Sequence, residues 1–296
     1  MSEFGIRKGY PRLRKHFGKL VGYAQLCRAF TLIAPLLAGL FGVLAPVKDL
    51  TFEHVKTAGF VALTLALAQA CGQCLNQYAD ADLDKIIKPY RPIPSGLVRK
   101  DEALGLGWLL ALFAVGRAFT VTMFFGLVIL ALLFFAVFYS IAPFSPRRVN
   151  PLINTGWMAT SRGLLPMLAV WSVFGGLSSV AWSYSILAFL WVFGFQATKD
   201  VGDAEADKQF QIKTIPNTWG VKGLLATMGV CSIMFGILSI ISGKFIMLIL
   251  LGLGLLAMLT VRKQATLTEN TYAWAAFYAG LGFLYVLMFL TEHHML

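Results

Sequence analysis

Seven of the 14 acidic residues in this chain lie in two short stretches, each followed by cations. The stretches read NQYADADLD and KDVGDAEAD, and their acids are Asp80, Asp82, Asp84, Asp200, Asp203, Glu205 and Asp207. Carboxylates packed together repel one another unless a positive charge neutralises them. Mg²⁺ prefers oxygen ligands and takes them from carboxylates and phosphates. The two stretches therefore predict a divalent-cation site.

The spacing within each stretch indicates which of these side chains act together. On an α-helix, positions three or four apart share a face. By this criterion Asp82 and Glu205 point away from the others. The residues predicted to form two matching rows of oxygen ligands, and hence to bind the metal, are Asn76, Asp80, Asp84, Asp200, Asp203 and Asp207.

The two acidic stretches have similar continuations, which indicates a degenerate internal repeat. The continuations read DKIIKPYRPIPSG and DKQFQIKTIPNTWG, and both contain a cation, one further residue and Ile-Pro. The prolines are expected to stop any continuing helix. Lys and Arg side chains are good phosphate ligands. The cations considered for a phosphate group are Arg28, Lys88, Arg91, Arg147, Arg148 and Lys213.

The composition predicts an all-α, polytopic membrane protein. Of the 296 residues, 58% are apolar and 13% are charged, whereas soluble domains average about 45–50% apolar and 25% charged residues. Lipid offers backbone groups no hydrogen-bond partner, so each apolar run of about 20 residues predicts a spanning helix. We expect a single domain over 1–296 with a basic arm at 1–19. The nine predicted spans are 20–46, 57–79, 103–119, 121–142, 152–173, 179–198, 221–241, 245–261 and 272–291.

The distribution of Lys and Arg predicts the orientation of these helices. With the N-terminus in the cytoplasm, 19 of the 25 Lys and Arg lie on that side and 4 lie outside. Both acidic stretches are then cytoplasmic. The net charge of +11 is explained by this orientation and by attraction to anionic lipid. No nucleic-acid-binding module is recognisable, so we expect no nucleic-acid partner.

Acids, cations and apolar helices at one membrane face predict a ligand of matching chemistry. A metal-bridged diphosphate suits the acids and cations, and an apolar tail suits the surrounding helices. A prenyl diphosphate combines the two. The alternative is a pair of acidic helix ends solvated at the membrane surface, but their matched spacing and matched continuations favour the ligand.

At these residues the sequence resembles the UbiA family of intramembrane prenyltransferases. The family's first motif has the form N-D-x-x-D-x-x-x-D, to which Asn76, Asp80 and Asp84 correspond. The second motif, D-x-x-D-x-x-x-D, is matched by KDVGDAEAD, and RPIPSG, IKTIP and YSIAPF match as well. Gln77 departs from the pattern, because it replaces the acid that often follows the motif asparagine.

The resemblance implies transfer of a prenyl group from a prenyl diphosphate to an acceptor, with Mg²⁺ as cofactor. It also implies nine helices around a central cavity that opens toward lipid. We expect an aromatic quinone precursor of the hydroxybenzoate or dihydroxynaphthoate type as the acceptor, because such branches are numerous in the family. A glycerol-phosphate lipid, as in ether-lipid synthesis, is the alternative acceptor.

The expected catalytic roles follow from this chemistry. Arg91 and Lys213 are expected to add fixed positive charge beside the leaving diphosphate. The aromatic face of Tyr139 is expected to stabilise the allylic cation by about 0.5–2 kcal/mol. The general base is left open. The full set expected to bind the diphosphate is Arg28, Gln73, Lys88, Arg91, Ser140, Arg147 and Lys213.

A cation-coupled transporter is the competing class of function. Its acids would lie near mid-membrane on broken helices, whereas these acids cluster at one end beside cations. Another membrane enzyme of Mg²⁺-diphosphate chemistry, a CDP-alcohol phosphotransferase, is disfavoured because its D-G-x-x-A-R signature is absent. Release of diphosphate from a prenyl donor distinguishes a transferase from a transporter.

Overall fold

The computed structural model describes residues 11–141, 145–263 and 271–295, apart from the side chains of 11–16, Ser140 and Thr271. Throughout these ranges the chain is built of helices and turns, without strands. The α-helices are α1 (Pro11–Cys27), α2 (Ile33–Leu37), α3 (Phe52–Ala79), α4 (Ala81–Ile87), α5 (Lys100–Ala118), α6 (Met123–Ser140), α7 (Pro151–Ala159), α8 (Leu165–Ser172), α9 (Ser179–Phe195), α10 (Ala204–Gln209), α11 (Ile215–Ile241), α12 (Leu250–Lys263) and α13 (Thr271–Glu292). The short 3-10 or π segments between them are Ala29–Leu32, Ala38–Gly42, Pro146–Arg148, Thr160–Leu164, Gln196–Asp200 and Phe245–Ile249.

The helices are those of a multi-pass membrane protein, but the predicted count of nine spans is not confirmed. Within the described ranges, five helices are long and apolar enough to cross a membrane. The bent pair Phe17–Cys27 and Ala29–Gly42 makes a sixth if it is counted as one span. Each of the nine predicted ranges nevertheless overlaps helical structure. The five helices are Phe52–Ala79, Ser179–Asp200, Ile215–Ile241, Phe245–Lys263 and Tyr272–Glu292.

Local chemistry explains why other predicted ranges are not continuous spans. The range 20–46 bends by 45° next to Arg28, whose backbone is left-handed (φ 51°), a conformation that side chains disfavour. The range 152–173 is interrupted by the π-helical segment Thr160–Leu164. The predicted range 103–119 corresponds to α5, which carries two acids in its first turn and Arg117 in its last turn. The apolar part of α5 is therefore short for a membrane span.

Small residues allow close helix packing around the centre of the protein. Gly39 lies against α3, where an added Cβ would be 2.2 Å from the Cα of Ala62. Gly163 lies against α9, where an added Cβ would be 2.5 Å from the carbonyl oxygen of Ala188. Close contacts at small residues are typical of helix pairs in membranes. The second contact holds the π-helical segment of residues 160–164 against α9.

Each acidic stretch lies at an interruption between helices rather than on one continuous helix. α3 ends at Ala79, Asp80 leaves helical geometry (φ −91°, ψ 9°), and α4 begins at Ala81. After α9, the 3-10 segment Gln196–Asp200 leads to Asp203, which immediately precedes α10. Asp side chains compete for backbone hydrogen bonds and so favour helix ends.

The two Ile-Pro continuations differ in structure. Pro92 and Pro94 lie in turns between α4 and α5. Pro216 instead lies in the first turn of α11, where the Thr214 side chain accepts a hydrogen bond from the backbone N–H of Asn217 (3.4 Å). Proline is tolerated there because its missing N–H needs no intrahelical acceptor. As expected, the preceding helix does not continue through either motif, because α4 ends at Ile87 and α10 at Gln209. Pro216 in addition lies at the start of the next helix.

Candidate active site

One cavity brings the two acidic stretches together. It lies among α3, α4, the 3-10 segment Gln196–Asp200 and α10, and oxygen-bearing side chains of both stretches line it. Asn76 donates a hydrogen bond to Asp80 within the first stretch (Nδ2 to Oδ2, 2.8 Å). The lining includes all the residues predicted to bind metal, which are Asn76, Asp80, Asp84, Asp200, Asp203 and Asp207.

Two arginines neutralise the acids of the first stretch. Arg147 Nη2 lies 2.7 Å from Asp80 Oδ1, and Arg91 Nη1 donates to both oxygens of Asp84 at 2.7 Å. The side chains of Asp84 and Arg91 are only 2% and 9% exposed. Charge-assisted bonds of this length are strong, and a buried charge without its partner is unfavourable. Ion pairs therefore hold this part of the site together.

Lys88 connects the two stretches. It follows the first stretch and forms an ion pair with Asp203, which is 115 residues further along the chain. In the second stretch Lys199 pairs with the adjacent Asp200. Burial alone would raise the pKa of Asp203, but the ammonium of Lys88 holds that pKa below its usual value. Both stretches thus form one electrostatic unit.

Asp207 is the exception among these acids. It is 6% exposed, and no Lys or Arg within the described part of the chain forms an ion pair with it. Burial, followed by the negative charge of Asp200, raises the pKa of Asp207 to about 8. An additional positive charge in the cavity would relieve this repulsion.

The donor set suits a hard divalent cation by ligand type. Mg²⁺ prefers carboxylate and amide oxygens, and these are the groups that both stretches direct to the cavity. Across the described ranges, no group of three or more acidic, His or Cys side chains surrounds a common metal position. The carboxylates of Asp80, Asp84, Asp200 and Asp203 contact Lys and Arg side chains instead.

Three other predicted site residues line the same cavity. Arg28, at the bend after α1, donates from Nη1 to Oε1 of Gln73 on α3 (3.3 Å). Tyr139 lies near the end of α6, and its ring centroid is 5.7 Å from the Cζ atom of Arg147. The aromatic face of Tyr139 and the polar side chains of Arg28 and Gln73 are therefore available in the cavity.

Lys213 is not brought to the cavity. Its side chain is exposed, and its Nζ donates to the backbone carbonyl of Val149 (3.1 Å). The Lys213 backbone N–H donates to the carbonyl of Arg147 (2.7 Å), so this residue supports the segment that carries Arg147. Arg148 is also exposed, and the predicted Ser140 side chain lies outside the described residues.

The acids predicted to point away from the site do so. Asp82 and Glu205 are 70% and 81% exposed and pair with lysines on their own helices. Gln77, which departs from the family pattern, is buried, and its Nε2 donates to the carbonyl oxygen of Leu26 (2.8 Å). This contact ties α3 to α1 close to Arg28.

Two cations line the cavity without having been included in the predicted site. Lys199 directly precedes Asp200, and that adjacency is the sequence signal for it. Arg162 lies in the π-helical segment Thr160–Leu164. A charge inside an apolar helical range is the signal for Arg162, because such charges are unfavourable in membranes and are usually functional.

The other part of the cavity is apolar and aromatic. Its side chains come mainly from α3, α6 and α13. They include Leu65, Ala68, Leu132, Phe135, Met158 and Leu281. One cavity therefore combines a cluster of charges with a surface suited to a hydrocarbon chain.

Comparison with known proteins identifies the family. The model of the UbiA prenyltransferase family matches residues 29–291. Digeranylgeranylglyceryl phosphate synthase of Thermococcus sibiricus is 28% identical over 243 residues, covering 82% of this chain and 81% of the relative. The protein of the same name from Thermococcus kodakarensis is 31% identical over 227 residues, covering 76% and 78%.

A solved structure has the same fold. The UbiA homologue from Archaeoglobus fulgidus bound to GPP and Mg²⁺ superposes with a TM-score of 0.69 at 17% identity, over 92% of this chain and 99% of that one. The family match covers most of the chain, which sets aside the transporter alternative. This membrane protein is a prenyl-transferring enzyme that belongs to the UbiA prenyltransferase family.

Proposed function

We propose that this enzyme transfers a prenyl group from a prenyl diphosphate to a glycerol-phosphate lipid, with Mg²⁺, and releases diphosphate. The acceptor is proposed from the relatives named digeranylgeranylglyceryl phosphate synthase. It replaces the aromatic quinone precursor expected from the sequence, an expectation that depended on how common such branches are rather than on particular residues.

The observation that carries this proposal is the division of the cavity into a charged part and an apolar part. Both acidic stretches meet in the charged part through the Lys88–Asp203 ion pair. The apolar part is lined by side chains such as Leu65 and Phe135. A diphosphate with a hydrocarbon tail matches both, whereas a polar metabolite or a free ion would match only the charged part.

The residues proposed to hold Mg²⁺ are Asn76, Asp80, Asp84, Asp200, Asp203 and Asp207, since they are oxygen donors from both acidic stretches around one cavity. The chemistry that bound Mg²⁺ supplies is neutralisation of the charge that develops on the leaving diphosphate. The binding of GPP and Mg²⁺ by the Archaeoglobus fulgidus homologue supports this assignment.

Lys88, Arg91 and Arg147 are proposed to bind the diphosphate. Each forms an ion pair with an acid of the cluster, so the acids keep these cations at the cavity wall. When the acids bind a cation, the Lys and Arg side chains become free to donate to phosphate oxygens. Donors fixed in place before the reaction stabilise the leaving group more than mobile ones do.

Tyr139 is proposed to stabilise the allylic fragment after the C–O bond to diphosphate weakens. Its aromatic face lies beside Arg147, at 5.7 Å from ring centroid to Cζ, and thus near the charged end. The surrounding apolar side chains exclude water, which would otherwise hydrolyse the reactive carbon. The oxygen of the acceptor hydroxyl then bonds to the prenyl carbon, the C–O bond to diphosphate breaks, and the hydroxyl proton passes to the released diphosphate.

We also propose that the N-terminus and the cavity mouth face the cytoplasm. The support is the excess of Lys and Arg assigned to that side of the membrane. In the predicted topology, position 82 lies on the cytoplasmic side and position 178 lies outside. Cysteines introduced singly as Asp82→Cys and Ser178→Cys should therefore react with an impermeant maleimide from opposite sides of the membrane. Labelling of Asp82→Cys from outside intact cells would refute this orientation.

The proposed function is tested by turnover of purified protein in lipid vesicles. Labelled geranylgeranyl diphosphate is offered with a prenylglyceryl phosphate, or with hydroxybenzoate or dihydroxynaphthoate, and both prenylated product and diphosphate are measured. We expect product only with the glycerol-phosphate lipid. Product only with an aromatic acceptor would refute the acceptor assignment, and diphosphate release without any prenylated product would refute transfer to these acceptors.

A further inference from the structure

Arg162 is a cavity cation whose position is set by polar contacts with other helices. Its Nη1 donates to Oε1 of Gln196 (3.4 Å) and to the hydroxyl of Tyr278 (3.2 Å). Gln196 and Tyr278 belong to two of the helices that are long and apolar enough to span a membrane. The charge of Arg162 is therefore held between apolar helices, where an isolated charge is unfavourable.

Arg162 differs from the cations of the acidic cluster in having no acid as a partner. Lys88, Arg91, Arg147 and Lys199 each form an ion pair with an Asp. Among the residues that the structure describes, no carboxylate lies within ion-pair distance of Arg162; its partners are the uncharged Gln196 and Tyr278. Its positive charge is thus available to an anion that enters the cavity.

Two buried hydrogen-bond donors, one on Gln196 and one on Trp274, lack acceptors in the described structure. Gln196 is 2% exposed, and its Nε2 has no hydrogen-bond partner in the described structure. The same holds for the indole Nε1 of Trp274, whose ring packs edge-on against Tyr278 with centroids 5.1 Å apart. Buried donors normally have partners, so donors without one are available to an acceptor that enters the cavity. Trp274, Tyr278 and Arg162 all line the cavity.

We call Arg162, Gln196, Trp274 and Tyr278 the donor cluster. Arg162, Trp274 and Tyr278 line the cavity with a guanidinium, an indole N–H and a phenol, and Gln196 adds an amide NH₂ beside Arg162. Such a set suits an oxyanion with several acceptor oxygens, because guanidinium groups bind phosphate through paired N–H donors. Arg162 lies in a π-helical segment, an irregularity that is frequent at functional sites.

We infer, on the basis of the proposed function, that the donor cluster binds the phosphate of the acceptor lipid. The donor diphosphate has its own cations, Lys88 and Arg91 near α4 and Arg147 before α7. The donor cluster belongs to other elements, namely the π-helical segment, the first residue of the 3-10 segment Gln196–Asp200, and α13. Two anionic substrates repel each other, so separate binding groups let both occupy the cavity together.

The test compares acceptor kinetics of Arg162→Gln and wild-type protein. Loss of hydrogen bonds to a charged group costs about 1.5–3 kcal/mol, which corresponds to a rise of roughly 10–150-fold in the KM for the prenylglyceryl phosphate. The KM for geranylgeranyl diphosphate should stay within about twofold. With the phosphate-free alcohol analogue of the acceptor, Arg162→Gln and wild type should have the same kinetics. Arg99→Gln, an exposed arginine at the start of α5, is the matched control.

A second variant covers the possibility that Arg162→Gln does not fold. Trp274→Phe keeps the aromatic ring and removes one donor, so the acceptor KM should rise about 2–10-fold without a change in the KM for the prenyl donor. An unchanged acceptor KM in both variants, or an equal loss with the phosphate-free analogue, would overturn the inference. Arg162-dependent binding of hydroxybenzoate instead of the lipid would overturn the identification of the anion as phosphate.

The outcome for wild-type protein separates the two proposals. If wild type makes no product with the prenylglyceryl phosphate, the proposed acceptor is wrong and the inference about its phosphate is wrong with it. If wild type makes that product and both Arg162→Gln and Trp274→Phe leave the acceptor KM unchanged, only the role of the donor cluster is wrong.

Discussion

The buried pair of Asp84 and Arg91 allows structural and chemical roles to be separated. Arg91 donates to both carboxylate oxygens at 2.7 Å, and the two side chains are 2% and 9% exposed. Removing one partner from a buried ion pair leaves an uncompensated charge and costs about 3–5 kcal/mol. We therefore expect Asp84→Asn and Arg91→Gln each to lower the free energy of unfolding by that amount.

The double variant Asp84→Asn/Arg91→Gln should recover part of this stability, because neither charge is then left alone. Activity should behave differently. Asp84 is proposed to hold Mg²⁺ and Arg91 to bind diphosphate, so both singles and the double should lose transfer. Unfolding in mixed detergent micelles gives the stability, and release of diphosphate from geranylgeranyl diphosphate gives the activity.

The exposed pair of Asp82 and Lys85 is the matched control. It has a similar distance, 2.8 Å, but side-chain exposures of 70% and 64%, and exposed pairs contribute about 0–1 kcal/mol. Asp82→Asn/Lys85→Gln should leave stability and turnover nearly unchanged. If the Asp84→Asn/Arg91→Gln double variant regains turnover together with stability, the buried pair is structural only, and the assignment of both residues to the substrate site is refuted.

Three further predictions test the other parts of the site. Asp203→Asn should lower turnover roughly 100-fold or more. Substitution of the exposed neighbour, Glu205→Gln, should change turnover by no more than about twofold. Equal losses of turnover in the two variants would contradict the distinction between buried and exposed acids. Chelation of divalent cations should stop product formation and added Mg²⁺ should restore it, and full activity in chelator would refute the metal assignment. Tyr139→Phe should retain most activity because it keeps the aromatic face, whereas Tyr139→Ala should lose about 0.5–2 kcal/mol of stabilisation, or roughly 2–30-fold in kcat; a loss as large in Phe as in Ala would assign the role to the hydroxyl.

The local sequence was sufficient to recognise the acidic stretches but not their backbone. Asn76, Asp80 and Asp84 are four residues apart, which predicts one helix face, and all three do line the cavity. The backbone nevertheless leaves helical geometry at Asp80, because the choice between a continuous and an interrupted helix depends on tertiary contacts. The same limit applies to Pro216, which starts α11 although its motif resembles the turn after α4.

The cations show a second limit of the sequence. Lys213 and Arg91 occupy equivalent places in the two continuations, yet Arg91 is buried against Asp84 and Lys213 is exposed. Lys199 was not included in the predicted site, although it lines the cavity. Charge and spacing identify candidate phosphate ligands, but the direction of a long side chain depends on neighbouring elements that spacing does not describe.

The amino-acid sequence alone determined the class of protein, because apolar helices in lipid and paired rows of carboxylates are local properties of residue type and spacing. Only the tertiary structure decided which charges meet. The Lys88–Asp203 pair joins residues 115 positions apart, and the contacts of Arg162 reach Tyr278 on α13. Long-range packing of helices determines such distances, so no pattern within one stretch of the chain could have specified them.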